Sequence, residues 1–356
     1  MHTWLLFVTA LVGGCEDETE GLFLETEYVR YVTDQPFVPC GGLVRDTDRK
    51  VEHLYDRLEE PYPSPLSILY KWVADDSSLT CLKGAAGCTS LGPDGPRIAA
   101  VELAMTHELA HAAHFDTLGY THSLLSEGFA TYYSGRYGDL TAGAMETFAA
   151  DIESMITSKE VPGAQYPLAA QFVGATIERH GLSEFKEFWQ AIEPSSPLES
   201  FREIYESHYD EPWDEALVTI ASQERAVWLD VECEGEAQVV GAEGLHLMVA
   251  ETCEDESVVG PVRNGGGYAG ELRIPLELPV EGSYRFAFVH PGGAGVLAAM
   301  FRGCQFGGPA PAAPLTAFTA QDDQVVFMAA GRYLLGVRVP LTAGEAPVEV
   351  RITRVG

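Results

Sequence analysis

Residues 107–111 read HELAH, and Glu127 follows sixteen positions after the second histidine. Residues four apart lie on the same face of an α-helix, so the imidazoles of His107 and His111 can bind one zinc ion. Glu108 lies beside them, where a carboxylate can take a proton from a water molecule that the metal makes acidic. The spacing therefore predicts a metal site that includes a general base.

The residues before this motif favour a helix. The stretch 97–106, RIAAVELAMT, is rich in strong helix formers, and Pro96 suits a first helical turn. Apolar residues recur at spacings of three and four, which is the period of an amphipathic helix. These apolar residues are Ile98, Val101, Met105, Leu109 and Ala112. The pattern predicts one helix that begins near Pro96 and continues through the motif.

Glu127 belongs to the segment SEGFA at residues 126–130. Together with HELAH, this segment resembles the gluzincin metallopeptidases, the thermolysin-like and aminopeptidase-N-like enzymes whose third zinc ligand is a glutamate on the next helix. The resemblance implies that His107, His111 and Glu127 bind one Zn²⁺ per chain and that Glu108 is the general base. It covers residues 98–181 and implies an α+β, zincin-like catalytic domain.

Tyr166 opens the segment YPLAAQFV at residues 166–173. This segment resembles the helix of aminopeptidase-N-like enzymes whose leading tyrosine points at the zinc site. The resemblance implies that Tyr166 stabilises the oxyanion formed when water attacks a carbonyl. A packing role for this tyrosine stays open. His114 and Asp116 are expected either to orient the metal ligands or to lie on the surface at the end of the helix.

The first fourteen residues have the pattern of a signal peptide. The hydrophobic run at residues 4–12 is far shorter than the ~20 residues that span a bilayer. It ends in VGGC at residues 12–15, which resembles the lipobox of bacterial lipoproteins and implies that Cys15 is lipidated. We therefore expect residues 15–21 to tether an exported protein to a bacterial membrane, with the outer membrane or cell surface favoured. Ordinary secretion is the alternative.

Six cysteines remain if Cys15 carries a lipid. An even set in an exported chain predicts disulfides rather than a metal site. Three lie on each side of residue 230, so at least one bridge must cross between the two halves if all six pair. Their spacing leaves the pairing open, although Cys81 and Cys88 would close a small loop. The six are Cys40, Cys81, Cys88, Cys233, Cys253 and Cys304.

Before the zinc helix, the sequence predicts a strand at residues 22–32, a helix at 43–60 and a buried strand at 66–74. The glycine-rich stretch from residue 77 to 96 is interpreted as a disulfide-pinned loop, with a possible edge strand for an extended substrate. After Glu127 the chain is predicted to be helical. The predicted helices cover approximately 141–158, 167–180, 183–192, 198–209 and 213–227.

The pattern changes near residue 230, where glycine-rich turns begin to alternate with strand-like runs such as YRFAFV at 284–289. The remaining stretch is long enough for one antiparallel β-sandwich. We therefore expect a zincin-like catalytic domain over residues 22–229, followed by an all-β sandwich accessory domain over residues 230–356.

Composition limits the partners. The chain has 356 residues, 46% of them hydrophobic, which is sufficient for one or two cores. Its formal net charge of −31 argues against nucleic acid as a partner. No second hydrophobic run approaches membrane length, so membrane attachment is expected only through a lipid on Cys15.

The gluzincin resemblance implies an extracytoplasmic zinc peptidase that hydrolyses a peptide or protein by means of zinc-activated water. An endopeptidase is favoured, because no motif similar to GxMEN precedes the zinc helix. A surface binding lipoprotein with an inactive or structural metal site is one alternative, but such a site needs no base like Glu108. A zinc amidase acting on cell-wall material is the other, and no sequence feature separates it from a peptidase.

Overall fold

The computed structural model is a mixed α/β protein with a β-rich C-terminal region. No helix among the described residues is long and apolar enough to cross a membrane. The predicted signal peptide, Cys15 and Cys81 lie outside the described residues. The structure describes residues 21–33, 38–73, 79, 86–134, 146–223, 228–229, 231–264, 267–289, 297–306, 316–319, 323–341 and 347–355.

A five-stranded sheet opens the fold. Its strands are β1 (Gly21–Glu25), β2 (Val29–Thr33), β3 (Ile68–Trp72), β4 (Gly87–Gly92) and β5 (Gly95–Ala100). Their order across the sheet is β1-β2-β3-β5-β4, in which β2, β3 and β5 run parallel. The outer strands β1 and β4 each run antiparallel to their neighbour. The strand β4 is therefore an edge of the described sheet.

The single strand predicted over residues 22–32 is instead a hairpin formed by β1 and β2. The helix predicted from Pro96 is wrong up to Ala100, because these residues form strand β5. Ile98 and Ala100 are buried while Arg97 and Ala99 are half-buried, which is the alternation of a strand. Pairing with β3 on one side and β4 on the other overrides the helix propensity of these residues. The helix that carries HELAH begins only at Thr106.

The described residues also form eight α-helices. The predicted helices over 43–60, 167–180, 183–192 and 198–209 are confirmed to within about two residues at either end. The helix predicted over 213–227 ends earlier, at Ser222, and residues 141–145 lie outside the described part. The helices are α1 (Leu43–Leu58), α2 (Thr106–Thr117), α3 (Ser123–Ser134), α4 (Phe148–Ser158), α5 (Tyr166–His180), α6 (Leu182–Ala191), α7 (Leu198–Tyr209) and α8 (Trp213–Ser222).

The C-terminal region consists mainly of two sheets that share one buried core. Phe286 of the four-stranded sheet contacts Phe301 and Phe318 of the six-stranded sheet, as expected for the two inner faces of a β-sandwich. A further sheet among the described residues has two short strands. The strands are β6 (Trp228–Leu229), β7 (Gln238–Val239), β8 (Leu245–Val249), β9 (Val258–Asn264), β10 (Gly267–Leu278), β11 (Gly282–Val289), β12 (Leu297–Gly303), β13 (Gln305–Phe306), β14 (Thr316–Thr319), β15 (Asp323–Met328), β16 (Gly331–Val339) and β17 (Val348–Val355).

One disulfide joins the N-terminal and C-terminal regions, and another lies within the C-terminal region. Cys40, just before α1, is bonded to Cys253, so one bridge crosses between the halves of the chain. Cys233 is bonded to Cys304 within the C-terminal half. Cys88 is also disulfide-bonded. Disulfides are typical of an oxidising compartment outside the cytoplasm.

A buried ion network connects α1 to the C-terminal region. The Lys50 ammonium lies 3.0 Å from Asp46 Oδ2 and 2.6 Å from Glu232 Oε1, and only 1% of its side chain is exposed. Arg273 Nη1 lies 2.8 Å from Asp46 Oδ1 and 3.0 Å from Glu232 Oε1. The Lys50 ammonium also donates a hydrogen bond to the Ala104 carbonyl, shortly before α2. Each charge therefore has oppositely charged neighbours that offset the cost of its burial.

Removing one member of this network is expected to destabilise the fold. We expect Glu232→Gln to lower the free energy of unfolding by about 3–5 kcal/mol at pH 7, because it leaves Lys50 and Arg273 undercompensated. Urea denaturation measures this change. Glu25→Gln is the matched control, because Glu25 forms an exposed pair with Arg30 and its loss should cost at most about 1 kcal/mol. Equal effects of the two substitutions would contradict a stabilising network.

The same substitution should change the dependence of stability on pH. Burial alone would raise the pKa of Glu232, but Arg273, Lys50 and Arg302 hold it well below its usual range. The unfolded chain therefore takes up this proton at a higher pH than the folded chain. The stabilisation is fully present above about pH 4.3 and is lost as the pH falls through the folded-state pKa. In Glu232→Gln, this part of the acid sensitivity should disappear.

Candidate active site

Helices α2 and α3 bring three potential metal ligands to one point. His107 Nε2 and His111 Nε2 lie 3.2 Å apart. Glu127 Oε2 lies 3.3 Å from the first nitrogen and 3.4 Å from the second. The three atoms form a nearly equilateral triangle. The residues that the sequence nominated as ligands are thus adjacent in space.

The triangle fits a tetrahedral metal ion. Nitrogen and oxygen ligands at ~2.0–2.2 Å from a tetrahedral centre lie roughly 3.3–3.6 Å from each other, which matches the observed separations. Glu127 Oε2 is also buried, and both imidazole nitrogens lie within 3.4 Å of it. Two imidazoles and one carboxylate form a ligand set of catalytic zinc sites, and three protein ligands leave a fourth position for water or substrate.

The electrostatics of the triangle favour an ionised carboxylate. Burial alone would raise the pKa of Glu127, but His111 and His107 hold it well below its usual range. Burial alone would lower the pKa of His111, but the negative charge of Glu127 raises the pKa of this imidazole above its usual value. The buried Glu127 carboxylate therefore carries its negative charge at neutral pH and favours a cation beside it.

His114 and Ser126 contact the ring of His111 and fix its orientation. His114 Nε2 lies 2.9 Å from His111 Nδ1, and Ser126 Oγ lies within 3.3 Å of both nitrogens. Burial and the neighbouring His111 lower the pKa of His114 well below its usual value, so its ring is neutral and can accept a hydrogen from His111. Asp116 is exposed and accepts a hydrogen bond from Tyr55. Of the two expected orienting residues, only His114 contacts a ligand.

The side chain of Glu108, a residue of α2, lies against the edge strand β4. Its side chain is buried, and its Oε2 accepts a hydrogen bond of 2.8 Å from the Thr89 hydroxyl. A Cβ at Gly87 would lie only 2.8 Å from Glu108 Oε1, so the strand approaches this carboxylate as closely as glycine allows. The sequence did not predict the roles of Thr89 and Gly87, because no local pattern indicates that their strand packs against Glu108.

Tyr166 is the first residue of α5 and faces the same site. Its ring stacks on the His107 ring, with centroids 5.5 Å apart and planes 10° apart. Burial and the negative charges of Glu127 and Glu108 raise the pKa of Tyr166. The phenol therefore keeps its proton at neutral pH and can act as a hydrogen-bond donor.

Two glycines allow α5 to approach α3 closely. A Cβ at Gly128, directly after Glu127, would lie 2.5 Å from the Ala169 carbonyl oxygen of α5. A Cβ at Gly174 of α5 would likewise lie 2.5 Å from the Tyr132 ring of α3. The glycine of the SEGFA segment therefore has a packing reason, because it lets the two helices bring Glu127 and Tyr166 to one site.

Comparisons with known proteins found distant structural likenesses. No protein-family model matches the chain, and no curated protein matches it. Among solved structures, it is similar to Legionella pneumophila aminopeptidase A in complex with aspartic acid, at 9% identity and a TM-score of 0.34. That alignment covers 91% of this chain and 36% of the aminopeptidase, so the chain spans well under half of that protein.

Two further structures are similar to parts of the chain. One is a carbohydrate binding module of Cellvibrio mixtus lichenase 5A in complex with cellotriose, at 17% identity and a TM-score of 0.18, covering 37% of this chain and 98% of the module. The other is a family GH115 4-O-methyl-α-glucuronidase, at 12% identity and a TM-score of 0.16, covering 71% of this chain and 39% of that chain. These likenesses assign neither a fold family nor an activity.

Proposed function

We propose that this protein is a zinc-dependent peptidase of the gluzincin type that acts outside the cytoplasm. The observation that carries the proposal is the ligand triangle of His107, His111 and Glu127, with Glu108 beside it and Tyr166 stacked on His107. A purely structural metal site would need neither a buried carboxylate next to the ligands nor a protonated phenol above them.

Each residue then has a chemical role. When bound, the zinc ion would polarise the scissile carbonyl and make a water molecule acidic enough to lose a proton near neutral pH. Glu108 takes that proton and later gives it to the leaving amine. Tyr166 donates a hydrogen bond to the oxygen that becomes negative when the water attacks. His114 and Ser126 hold the His111 ring in the required orientation.

The position of Glu108 favours an extended peptide as substrate. The base lies against β4, and no other strand among the described residues pairs with the outer side of β4. Such an edge offers backbone hydrogen bonds to an extended chain, with the scissile bond beside the base. This arrangement supports a peptidase over a zinc amidase acting on cell-wall material, and we retain the endopeptidase hypothesis.

The decisive test separates metal binding from catalysis. For residues 16–356, mass spectrometry should find about one zinc per chain, and His107→Ala should lose it. Glu108→Gln should retain the metal but lose cleavage of a mixed-peptide library, because the proton acceptor is gone. Glu160→Gln, on an exposed loop of the same region, is the control and should cleave like the wild type.

Two outcomes would overturn this proposal. A wild-type protein that binds zinc but cleaves no peptide would support the alternative of a binding lipoprotein with an inactive site. Undiminished cleavage by Glu108→Gln would show that this carboxylate is not the base.

Tyr166→Phe should affect the rate more than binding. Removal of one oxyanion donor typically lowers kcat about 10²–10³-fold, and we expect a loss of this order with little change in KM or zinc content. Steady-state kinetics on one peptide substrate measure it. Tyr62→Phe is the control, because the exposed Tyr62 hydroxyl donates to Asp56. A fall in stability equal to that of a core substitution, with kcat unchanged, would assign Tyr166 to packing.

We further propose that Cys15 carries a lipid that anchors the protein to a bacterial membrane. The motif at residues 12–15 supports this, and the disulfides suit an extracytoplasmic location. Cys15→Ser should abolish labelling with a fatty-acid analogue and move the protein from the membrane fraction to the soluble fraction. Membrane association that persists without the cysteine would contradict the anchor.

A further inference from the structure

The edge strand β4 presents alternate backbone groups away from the sheet. Leu91 lies opposite Pro96 in the register with β5, and Pro96 has no N–H to donate. In antiparallel strands, hydrogen-bonded and non-bonded pairs alternate. The backbone groups of Gly87, Thr89 and Leu91 therefore point outward, whereas those of the residues between them bond to β5.

Tyr120 already occupies the last of these outward positions. The Leu91 N–H donates a hydrogen bond of 2.8 Å to the Tyr120 hydroxyl. The Tyr120 ring packs against Phe115 of α2 at a centroid distance of 4.5 Å, and Phe115 in turn stacks on the ligand His111 at 5.9 Å. A half-exposed tyrosine is thus fixed between the end of the zinc helix and the edge strand.

The other two outward positions lie beside the general base. Glu108 contacts both Gly87 and Thr89, so a scissile bond within reach of this carboxylate faces that part of β4. A substrate that pairs antiparallel with β4 extends its N-terminal side from Thr89 toward Leu91. Because outward positions are two residues apart, the next pairing position after Thr89 is the one that Tyr120 occupies.

We infer that Tyr120 is a specificity-determining residue that limits substrate pairing to about two residues on the N-terminal side of the scissile bond. This inference rests on the proposed peptidase function. Residues further toward the substrate's N-terminus meet the tyrosine instead of the strand, so they add no backbone hydrogen bonds. The C-terminal side of the substrate extends past Gly87, away from Tyr120.

The test uses peptides that are identical around and after the cleaved bond and carry one to six residues before it. Wild-type kcat/KM should rise up to about two residues and then stay level. The readout is the ratio of kcat/KM for the four-residue peptide to that for the two-residue peptide. This ratio should be about 1 in the wild type and should increase about threefold to tenfold in Tyr120→Phe, because one backbone donor is released.

Graded variants and a control sharpen the test. Tyr120→Ala removes the ring as well and should raise the ratio at least as much as Tyr120→Phe. Tyr62→Phe changes an exposed tyrosine whose hydroxyl bonds to Asp56, and it should keep the wild-type ratio. Lengthening the peptide after the cleaved bond should affect the wild type and both Tyr120 variants alike.

Distinct results overturn the inference and the proposed function. If the Tyr120 variants lower kcat/KM for every peptide equally, Tyr120 only stabilises the local structure and does not limit substrate pairing. If wild-type kcat/KM keeps rising through four or more residues, the limit does not exist although the peptidase does. Binding of the same peptides to zinc-loaded Glu108→Gln, measured by calorimetry, should show the same break at two residues. If peptides are neither cleaved nor bound, the peptidase proposal and this inference both fail.

Discussion

The contact on which the site depends is the packing of α3 against α2, which holds one carboxylate oxygen within 3.4 Å of two imidazole nitrogens. Bringing these groups together out of water is unfavourable unless their remaining polar atoms are satisfied. His114 and Ser126 satisfy the second nitrogen of His111. Gly128 lets α5 close over the pair. The ligand triangle is therefore a product of tightly packed helices rather than of a loop.

The start of α2 is also connected to the C-terminal region through buried charges. The Lys50 ammonium holds the Ala104 carbonyl just before α2 begins, and it shares Asp46 and Glu232 with Arg273. Because buried charges are costly without their partners, the β-rich region supplies counter-charges that the N-terminal region requires. The Cys40–Cys253 bridge reinforces the same junction. Hence the β-rich C-terminal region stabilises the surroundings of the site, although it supplies none of the proposed site residues.

Local patterns predicted much of the fold and the site. The four-residue spacing of His107 and His111 requires only a helix to place both rings on one face, and helix periodicity predicted α1 and most helices after Glu127. The misassigned stretch 97–100 shows the limit, because its alanines suit a helix but its position between β3 and β4 makes it a strand. Propensity is a weak prior that strand pairing overrides.

The sequence by itself determined which side chains are proposed to carry the chemistry, since residue type and helical spacing are local properties of the chain. Only the tertiary structure decided what surrounds them. Thr89 donates a hydrogen bond to Glu108, and His114 contacts the second ring nitrogen of His111. The Tyr166 ring stacks on His107, and the Tyr120 hydroxyl accepts a hydrogen bond near the end of β4. Several of these contacts join elements that are far apart in the chain, and their geometry arises from close packing of a whole core, which no local pattern encodes.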